Sequence, residues 1–148
     1  MKIQQISLFA ENKPGRISAP TRLLAQEGID IRALSLADTG DYGILRMIVS
    51  DWQKAAAILE SHGFVAKVTE VLAVEVGDHP GGMAGVLGAL DESGVNIEYM
   101  YAFPYTRGGK AILIFRFDDP DAAIARLQKA GINLLAGTEL LGQQTLIH

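Results

Sequence analysis

Two loops of similar composition carry the residues of this chain that can bind a small charged molecule. The first reads Asn12-Lys13-Pro14-Gly15 and the second reads Asp78-His79-Pro80-Gly81. Each loop follows an apolar stretch and precedes a helical pattern. A helix N-terminus offers free N–H donors to a carboxylate, and a side-chain oxygen nearby suits an ammonium group. The two loops therefore have the chemistry to hold both ends of an amino acid.

The segments around these loops occur twice along the chain. Matched positions are first 66 and then 68 residues apart: Pro14 with Pro80, Gly28–Ile31 with Gly94–Ile97, Asp51 with Asp119, and Gly63 with Gly131. The two extra residues fall in the turn around Thr106-Arg107-Gly108-Gly109, and loops tolerate such a length change best. Ordered matches of this kind indicate an internal duplication. The sequence predicts two domains, 1–69 and 70–148, without a Gly/Ser/Pro linker between them.

The bulk composition limits the classes of partner. The chain has 148 residues, a net charge of −4 and no cysteine, which excludes a disulfide scaffold and a thiolate metal site. It has no cluster of Lys and Arg of the kind that nucleic-acid binding needs. It also shows no signal region and no apolar run long enough to span a bilayer. We expect a cytoplasmic protein without a nucleic-acid or membrane partner. The three histidines, His62, His79 and His148, have no metal-ligand spacing, so neither a metal nor another cofactor is predicted.

Each half alternates the period of a strand with the period of a helix in the order β-α-β-β-α-β. In the first half we predict strands from Gln4 to Ala10 and over residues 30–37, 44–49 and 64–68, with helices over 16–27 and from Ser50 or Asp51 to Gly63. In the second half we predict strands over 71–76, 96–105, 110–117 and 134–141, with helices through Met83–Leu90 and from Pro120 to Gly131. Pro20 predicts an irregular start of the first helix, because proline lacks the N–H donor. The predicted fold class is α+β, with two ferredoxin-like repeats that each place helices on one face of an antiparallel sheet.

A βαββαβ unit with an acidic or amide residue, any residue and then Pro-Gly after its first strand resembles the ACT domain. The resemblance covers both halves, so the chain resembles a tandem ACT domain protein. It implies a non-catalytic module that binds an amino acid where two ACT units meet, with backbone N–H groups of the loop and the first helical turn as donors. The positions carried over are Asn12, Lys13, Pro14, Gly15, Arg16 and Ile17, and then Asp78, His79, Pro80, Gly81, Gly82 and Met83. The resemblance also implies that Asp30 and Asn96, which open the second strand of each half, hold the ligand's ammonium or amide group.

The two loops differ, so the predicted sites need not be equivalent. The second is favoured, because Asp78, Gly81-Gly82 and Asn96 match the family best. The simpler alternative is that Asn12 and Asp78 only cap a turn or a helix, as such residues commonly do.

One strand of the second half carries alternating aromatic residues at Tyr99, Tyr101, Phe103 and Tyr105. This pattern favours packing on the sheet, or a subunit interface, over a direct role in a ligand pocket.

Three hypotheses for the function remain. The first is a stand-alone sensor of a free amino acid that acts by allosteric regulation, as a homodimer. Since an open sheet face or edge favours association, we expect the two halves to associate edge to edge or face to face. Apolar neighbours of the loops at Ile17, Met83 and Val86 favour a branched-chain or aromatic ligand. The alternative is a regulatory subunit of an amino-acid biosynthetic enzyme such as acetohydroxyacid synthase, whose first ACT unit begins with a loop similar to Glu11–Gly15. Against it, the second half of that family is not ordinarily a clear ACT repeat. The third is a small enzyme of the same topology, but no residues suited to catalysis are found.

Overall fold

The structure is a computed structural model that describes residues 1–141; the end of the predicted second domain, including His148, lies outside the described residues. Contacts divide the chain into two compact units. The N-terminal unit contains Gln4–Thr69, and the C-terminal unit contains Met1–Ile3 together with the chain from Glu70 onward. The division falls within one long strand.

The N-terminal unit is built from β1 (Lys2–Glu11) beyond its first two residues, α1 (Ser18–Gln26), β2 (Ile31–Asp38), β3 (Tyr42–Val49), α2 (Trp52–Ser61) and the first part of β4 (Val65–Gly77). Strand β3 pairs antiparallel with both β1 and β2. Alternate residues of β1 and β3, such as Ile6 and Met47, are buried against Leu24 of α1 and Leu59 of α2. Every second side chain of these strands therefore packs against the apolar stripes of the two helices, and together they form one core on one face of the sheet.

The C-terminal unit repeats this order with the remainder of β4, α3 (Gly82–Leu90), β5 (Ile97–Arg107), β6 (Lys110–Phe117), α4 (Pro120–Lys129), β7 (Leu134–Leu135) and α5 (Gly137–Leu141). The strand order is β5-β6-β4-β7, and all pairs are antiparallel. Its core packs Val74 and Phe115 of the sheet against Val86 of α3 and Leu127 of α4. The two predicted ferredoxin-like repeats of an α+β fold are confirmed.

Polar residues at the ends of the elements fix the boundaries that the sequence predicts. Asp51 accepts a hydrogen bond from the Lys54 N–H at 3.0 Å, and Asp119 accepts one from the Ala122 N–H at 3.1 Å, so the second helix of each unit has a carboxylate N-cap. Between β5 and β6, Gly108 and Gly109 both have positive φ, 55° and 74°, which is the conformation of a tight two-residue hairpin turn.

The start of α1 is irregular, as Pro20 predicts. The Ala19 N–H donates a hydrogen bond to the Gly15 carbonyl. Pro20 has no N–H, so it cannot donate the next helical hydrogen bond to the Arg16 carbonyl. Regular helix therefore begins only at Ser18, and residues 14–17 form turns. The first helical turn is replaced by a loop with exposed backbone.

Two predicted strands differ from the structure. The strand predicted over 134–141 is wrong, because β7 ends at Leu135 and α5 follows. A carboxylate oxygen of Glu139 accepts a hydrogen bond from the Ala136 N–H at 3.2 Å, which satisfies a donor before the first turn of α5 and favours the helix. The strands predicted over 64–68 and 71–76 are one strand, β4, because no glycine or proline interrupts them.

The aromatic row of β5 lies along the C-terminal sheet, and Phe103 is its buried member. Tyr99, Tyr101 and Phe103 lie opposite residues of β6, Phe103 is 4% exposed, and its ring is 5.3 Å from that of Tyr105. Across the described part of the chain, no helix is long and apolar enough to cross a membrane.

Candidate functional site

The loop between β1 and α1 is tied to the hairpin that joins β2 and β3. The Asn12 N–H bonds to the Asp41 carbonyl at 2.9 Å, and the Asn12 side-chain amide donates to the Gly40 carbonyl at 3.2 Å. Asn12 therefore holds the loop in place and does not cap α1, whose N-cap residue is Ile17 and which has no side-chain cap.

Backbone donors are left free at the start of α1. Gly15 has a φ of 84°, a left-handed conformation that glycine adopts at little cost, and the chain turns here between β1 and α1. Within residues 1–141, the N–H groups of Gly15, Ile17 and Ser18 make no hydrogen bond, whereas the Arg16 N–H reaches the Lys13 carbonyl at 3.3 Å. Three free donors at one helix start can satisfy the oxygens of a carboxylate.

Charged side chains surround these donors. The Lys13 ammonium is 2.9 Å from a Glu11 carboxylate oxygen, and the Arg16 guanidinium is 3.9 Å from the same oxygen. The hydrogen bond from Lys13, followed by the charges of Lys13 and Arg16, lowers the pKa of Glu11 from its ordinary value. Two cations and one carboxylate leave a net positive charge beside the loop, which favours an anionic group.

A cavity of about 530 Å³ opens beside this loop within the N-terminal unit. Its walls come from the end of β1, the start of α1 and the turn between α2 and β4. They include Glu11, Gly15, Arg16, Tyr42, His62 and Phe64. The walls therefore include Gly15, whose N–H is free, together with a guanidinium and the three aromatic rings of Phe9, Tyr42 and Phe64.

The loop between β4 and α3 repeats this backbone arrangement 66 residues later. Gly81 has a φ of 89°, the Gly82 N–H reaches the His79 carbonyl at 3.0 Å, and the Gly85 N–H reaches the Gly81 carbonyl at 2.9 Å. In the part of the chain that the structure describes, the N–H groups of Gly81, Met83 and Ala84 make no hydrogen bond. These are the counterparts of Gly15, Ile17 and Ser18.

The second loop has an additional packing constraint. The His79 ring lies over Gly77, since a β-carbon at Gly77 would be 2.5 Å from the His79 Nε2 atom. The His79 Nδ1 atom donates to the Pro80 carbonyl at 2.9 Å. Asp78 is exposed and makes no hydrogen bond with the described residues. Asp78 therefore does not act as a cap, which leaves its carboxylate open to solvent.

A second cavity, of about 430 Å³, lies beside this loop within the C-terminal unit. Most of its walls occupy the positions that line the first cavity, with Gly81 for Gly15, Gly82 for Arg16, Lys110 for Tyr42 and Ala130 for His62. We call the three free N–H groups of each loop, at residues 15, 17 and 18 or at residues 81, 83 and 84, the backbone cradle. The duplication has preserved this cradle and changed the side chains around it. The second cavity has smaller residues where the first has a guanidinium and an imidazole.

Asp30 and Asn96 lie away from the loops of their own units. The Asp30 N–H bonds to the Ser50 hydroxyl at 3.0 Å, and its carboxylate contacts Arg32 at 3.2 Å. The Asn96 N–H bonds to the Asp118 carboxylate at 2.9 Å. In the N-terminal sheet, Tyr42 pairs with the end of β1 and Val49 with the start of β2. The length of β3, about 25 Å, therefore separates Asp30 from the loop.

The turns between α2 and β4, and between α4 and β7, line the cavities but were not among the predicted site residues. Gly63 and Gly131 mark these turns in the repeat, and the sequence indicated only that they end helices. His62 has both roles, because its Nδ1 atom donates to the Ile58 carbonyl at 2.9 Å and its side chain borders the cavity. No group of three or more His, Cys, Asp or Glu among residues 1–141 is arranged to hold a metal ion.

Comparisons with known proteins agree with this architecture. The profile of a family described as an ACT domain pair matches residues 1–142. Among solved structures, the chain is similar to protein BT0572 from Bacteroides thetaiotaomicron, with 39% identity, a TM-score of 0.88, and coverage of 95% of this chain and 96% of that one. No curated protein matches the chain in sequence.

Two further solved structures share the fold at lower identity. The regulatory subunit of aspartate kinase from Thermus thermophilus, in its ligand-free form, is 22% identical, with a TM-score of 0.61 and coverage of 86% of this chain and 91% of that one. The regulatory subunit of aspartate kinase from Thermus flavus is 21% identical, with a TM-score of 0.59 and coverage of 86% and 92%. At this level of identity, the similarity to these two structures shows a shared fold alone.

Proposed function

Because the chain belongs to the family of ACT domain pairs, we propose that it is a regulatory protein that binds a free amino acid and has no catalytic activity of its own. One observation carries the proposal. Both units leave three equivalent backbone N–H groups free beside a cavity, at Gly15, Ile17 and Ser18 and again 66 residues later. A duplicated cradle of this kind suits a ligand that has a carboxylate.

The proposed ligand contacts follow from the chemistry of the cradle. The carboxylate of the amino acid accepts from the free N–H groups of residues 15–18 or 81–84, and its side chain enters the adjoining cavity. In the first cavity Tyr42 and Phe64 offer aromatic surface, which supports a branched-chain or aromatic amino acid. The roles of Asp30 and Asn96, and binding where two ACT units meet, stay predictions.

The two cavities support binding to different degrees. The sequence favours the second loop, through Asp78, Gly81 and Gly82. The first cavity is the larger, at about 530 Å³ against 430 Å³, and has Arg16 in its wall. We propose both loops as sites, and substitutions in either loop separate their contributions.

Thermal unfolding in the presence of each of the twenty amino acids at millimolar concentration tests the proposal. A ligand that binds only the folded state and is present at 100 times its dissociation constant stabilises it by about 2.7 kcal/mol. For a protein of this size, that raises the midpoint by several degrees. A selective shift by one amino acid, or by a related group, identifies the ligand. No shift with any of them contradicts amino-acid sensing and leaves a protein-binding module as the function.

A second candidate is a regulatory subunit that acts on a separate biosynthetic enzyme. The fold shared with the regulatory subunit of aspartate kinase supports it, although at 22% identity that likeness does not name the enzyme. Copurification of the tagged chain from its own organism distinguishes the two. A stoichiometric catalytic subunit supports the second candidate, and recovery of the chain alone supports a stand-alone sensor.

A further inference from the structure

Each of the two cavities has one carboxylate and one lysine or arginine in its wall, and the two pairs have similar separations. In the first cavity the Arg16 guanidinium is 3.9 Å from a Glu11 carboxylate oxygen. In the second cavity the Lys110 ammonium is 3.8 Å from a Glu75 carboxylate oxygen. Both separations are longer than a hydrogen bond, so within neither pair does the cation donate directly to the carboxylate. The wall of each cavity therefore offers a zwitterion a partner for each of its charges.

The charges of the first cavity are missing from the matched positions of the second loop. The residues 66 positions after Glu11 and Arg16 are Gly77 and Gly82. A β-carbon on Gly82 would overlap the Gly77 carbonyl oxygen, and one on Gly77 would lie 2.5 Å from the Nε2 atom of His79. A side chain at either position would therefore have to displace backbone or an imidazole ring, which is costly in a packed loop. The close packing of the second loop accounts for the loss of both charges.

Two positions next to Gly77 supply the same charges instead. Glu75 lies two residues before Gly77 in β4, and residues two apart in a strand lie on the same face of the sheet. Lys110 is the direct partner of Gly77 in the antiparallel pairing of β4 with β6, and directly opposite residues also share a face. Gly77 itself touches Gly82, the first residue of α3. Glu75 and Lys110 therefore start from one face of the sheet, beside the backbone cradle of the second loop.

The two side chains differ in how firmly they are held. The Glu75 side chain is 9% exposed and lies between Lys110 and Arg107, whose Nε atom is 3.9 Å from the carboxylate. Arg107 is fixed in turn by its hydrogen bond to Glu139 at 2.7 Å. The Lys110 side chain is 54% exposed, and its ammonium has no hydrogen-bond acceptor among residues 1–141. Glu75 is therefore a positioned acceptor, and Lys110 is a donor that can turn towards an anion.

We propose that Glu75 and Lys110 bind the two charged groups of an amino acid in the second cavity, in place of Glu11 and Arg16 in the first. Lys110 and the backbone cradle of residues 81, 83 and 84 bind the carboxylate, and Glu75 accepts hydrogen bonds from the ammonium group. Glu75 suits the ammonium group better than Asp78 does, because Asp78 is exposed and charges interact more strongly where water is excluded. The inference rests on the proposed function, since it assigns ligand contacts within the same cavity.

Analogues that lack one charge test the role of each residue. The probes are the twenty amino acids and, for the one that binds most tightly, its α-hydroxy acid, which lacks the ammonium group, and its amide, which lacks the carboxylate. NMR shifts of the amide signals of residues 81, 83 and 84 report occupancy of the second loop, and those of residues 15, 17 and 18 report the first. The unmodified chain should bind each analogue at the second loop at least about tenfold more weakly than the amino acid, as expected for the loss of a charge-assisted hydrogen bond.

Substitutions that remove each charge should abolish the matching discrimination. Glu75→Gln should weaken binding of the amino acid about tenfold and leave the affinity for its α-hydroxy acid unchanged. Lys110→Met should weaken binding of the amino acid to a similar extent and leave the affinity for its amide unchanged. Glu98→Gln is the matched control, because its carboxylate is 3.7 Å from Arg116 in the same unit but lines neither cavity. Affinity at the first loop should stay the same in all three variants.

Two results would overturn this assignment alone: binding at residues 81–84 that both substitutions leave unchanged, or an equal loss for the amino acid and both analogues, as expected if the pair only supports the fold. Binding confined to residues 15–18 would also overturn it while leaving the proposed function intact. No shift at either loop with any of the twenty amino acids would overturn the proposed function as well. Circular dichroism identifies a variant that does not fold; if Glu75→Gln is one, the Lys110→Met result decides, because that side chain is half exposed.

Discussion

Gly82 packs directly against the backbone of Gly77, since a β-carbon on Gly82 would lie 1.9 Å from the Gly77 carbonyl oxygen. The neighbour is backbone and not the end of a flexible side chain, so it cannot move aside at low cost. This contact draws the start of α3 against the end of β4. Its counterpart in the first loop is Arg16, so the constraint belongs to the second loop alone.

We expect Gly82→Ala to destabilise the protein by about 2 kcal/mol or more, because overpacking against fixed atoms forces the backbone apart. The matched control is Gly85→Ala, where an added β-carbon meets open space on the exposed side of α3. That change should stabilise the helix by about 0.5 to 1 kcal/mol. Urea unfolding measures both. Equal midpoints for the two variants would show that the close contact is not part of the folded protein.

We expect Gly81→Val to abolish amino-acid binding at the second loop while leaving most of the fold intact. Gly81 has a φ of 89° and no neighbour that a side chain would strike, so valine strains the turn that exposes the free N–H groups. Gly94→Val is the control, because Gly94 has a φ of 76° in the same unit but lies at the other end of α3. Each should cost about 1 to 3 kcal/mol.

Calorimetric titration with the amino acid found in the thermal screen separates these effects. Loss of binding in Gly81→Val, with normal binding in Gly94→Val, assigns the site to the second loop. Unchanged affinity in Gly81→Val would contradict that assignment. The same titration of Gly15→Val would then test the first loop.

The charges at the first loop predict a pH dependence. The hydrogen bond from Lys13, and the charges of Lys13 and Arg16, lower the pKa of Glu11 in the folded protein. A lowered pKa means that the contribution of Glu11 to stability is complete above its unfolded pKa and is lost as the pH falls through the folded pKa. Glu11 should therefore stay ionised to a lower pH than a glutamate without these cationic partners. Titration of its carboxyl carbon by NMR measures this.

Lys13→Met should raise the pKa of Glu11 towards its ordinary value, because it removes the largest cause of the shift. Arg16→Met should raise it less, because the guanidinium is 3.9 Å away and acts only through its charge. A Glu11 pKa that Lys13→Met leaves unchanged would mean that the ion pair does not persist in solution.

The attachment of α5 rests on Glu139, which accepts hydrogen bonds from Arg107 at 2.7 Å and from the Ala136 N–H at 3.2 Å. These two bonds lower the pKa of Glu139, so the attachment should hold at neutral pH and weaken as the pH falls through the folded pKa. Arg107→Met should speed hydrogen exchange at the Leu140 N–H, which bonds to the Ala136 carbonyl. Glu60→Gln, on the exposed face of α2, is the control. Equal exchange in both variants would contradict a role of Arg107 in holding α5.

The sequence by itself determined the features that depend on neighbours along the chain. Periods of two and 3.6 identified the principal strands and helices, and the matched positions of the repeat identified two units of one topology. Asp51 and Asp119 cap helices because an aspartate needs only the N–H three residues ahead. Pro20 delays α1 because its missing donor is a property of the residue itself.

Only the tertiary structure decided which distant segments meet. The turns at Gly63 and Gly131 line the two cavities because α2 and α4 return the chain to the end of the sheet where the loops lie. Asp30 lies at the opposite end, since α1 carries the chain across the unit before β2 begins. Residues 136–141 were predicted as part of the last strand, but a carboxylate at Glu139 satisfies the Ala136 N–H and an arginine 32 residues earlier holds that carboxylate. Contacts between residues this far apart in the sequence depend on the direction and register of whole helices and strands, which local periodicity does not encode.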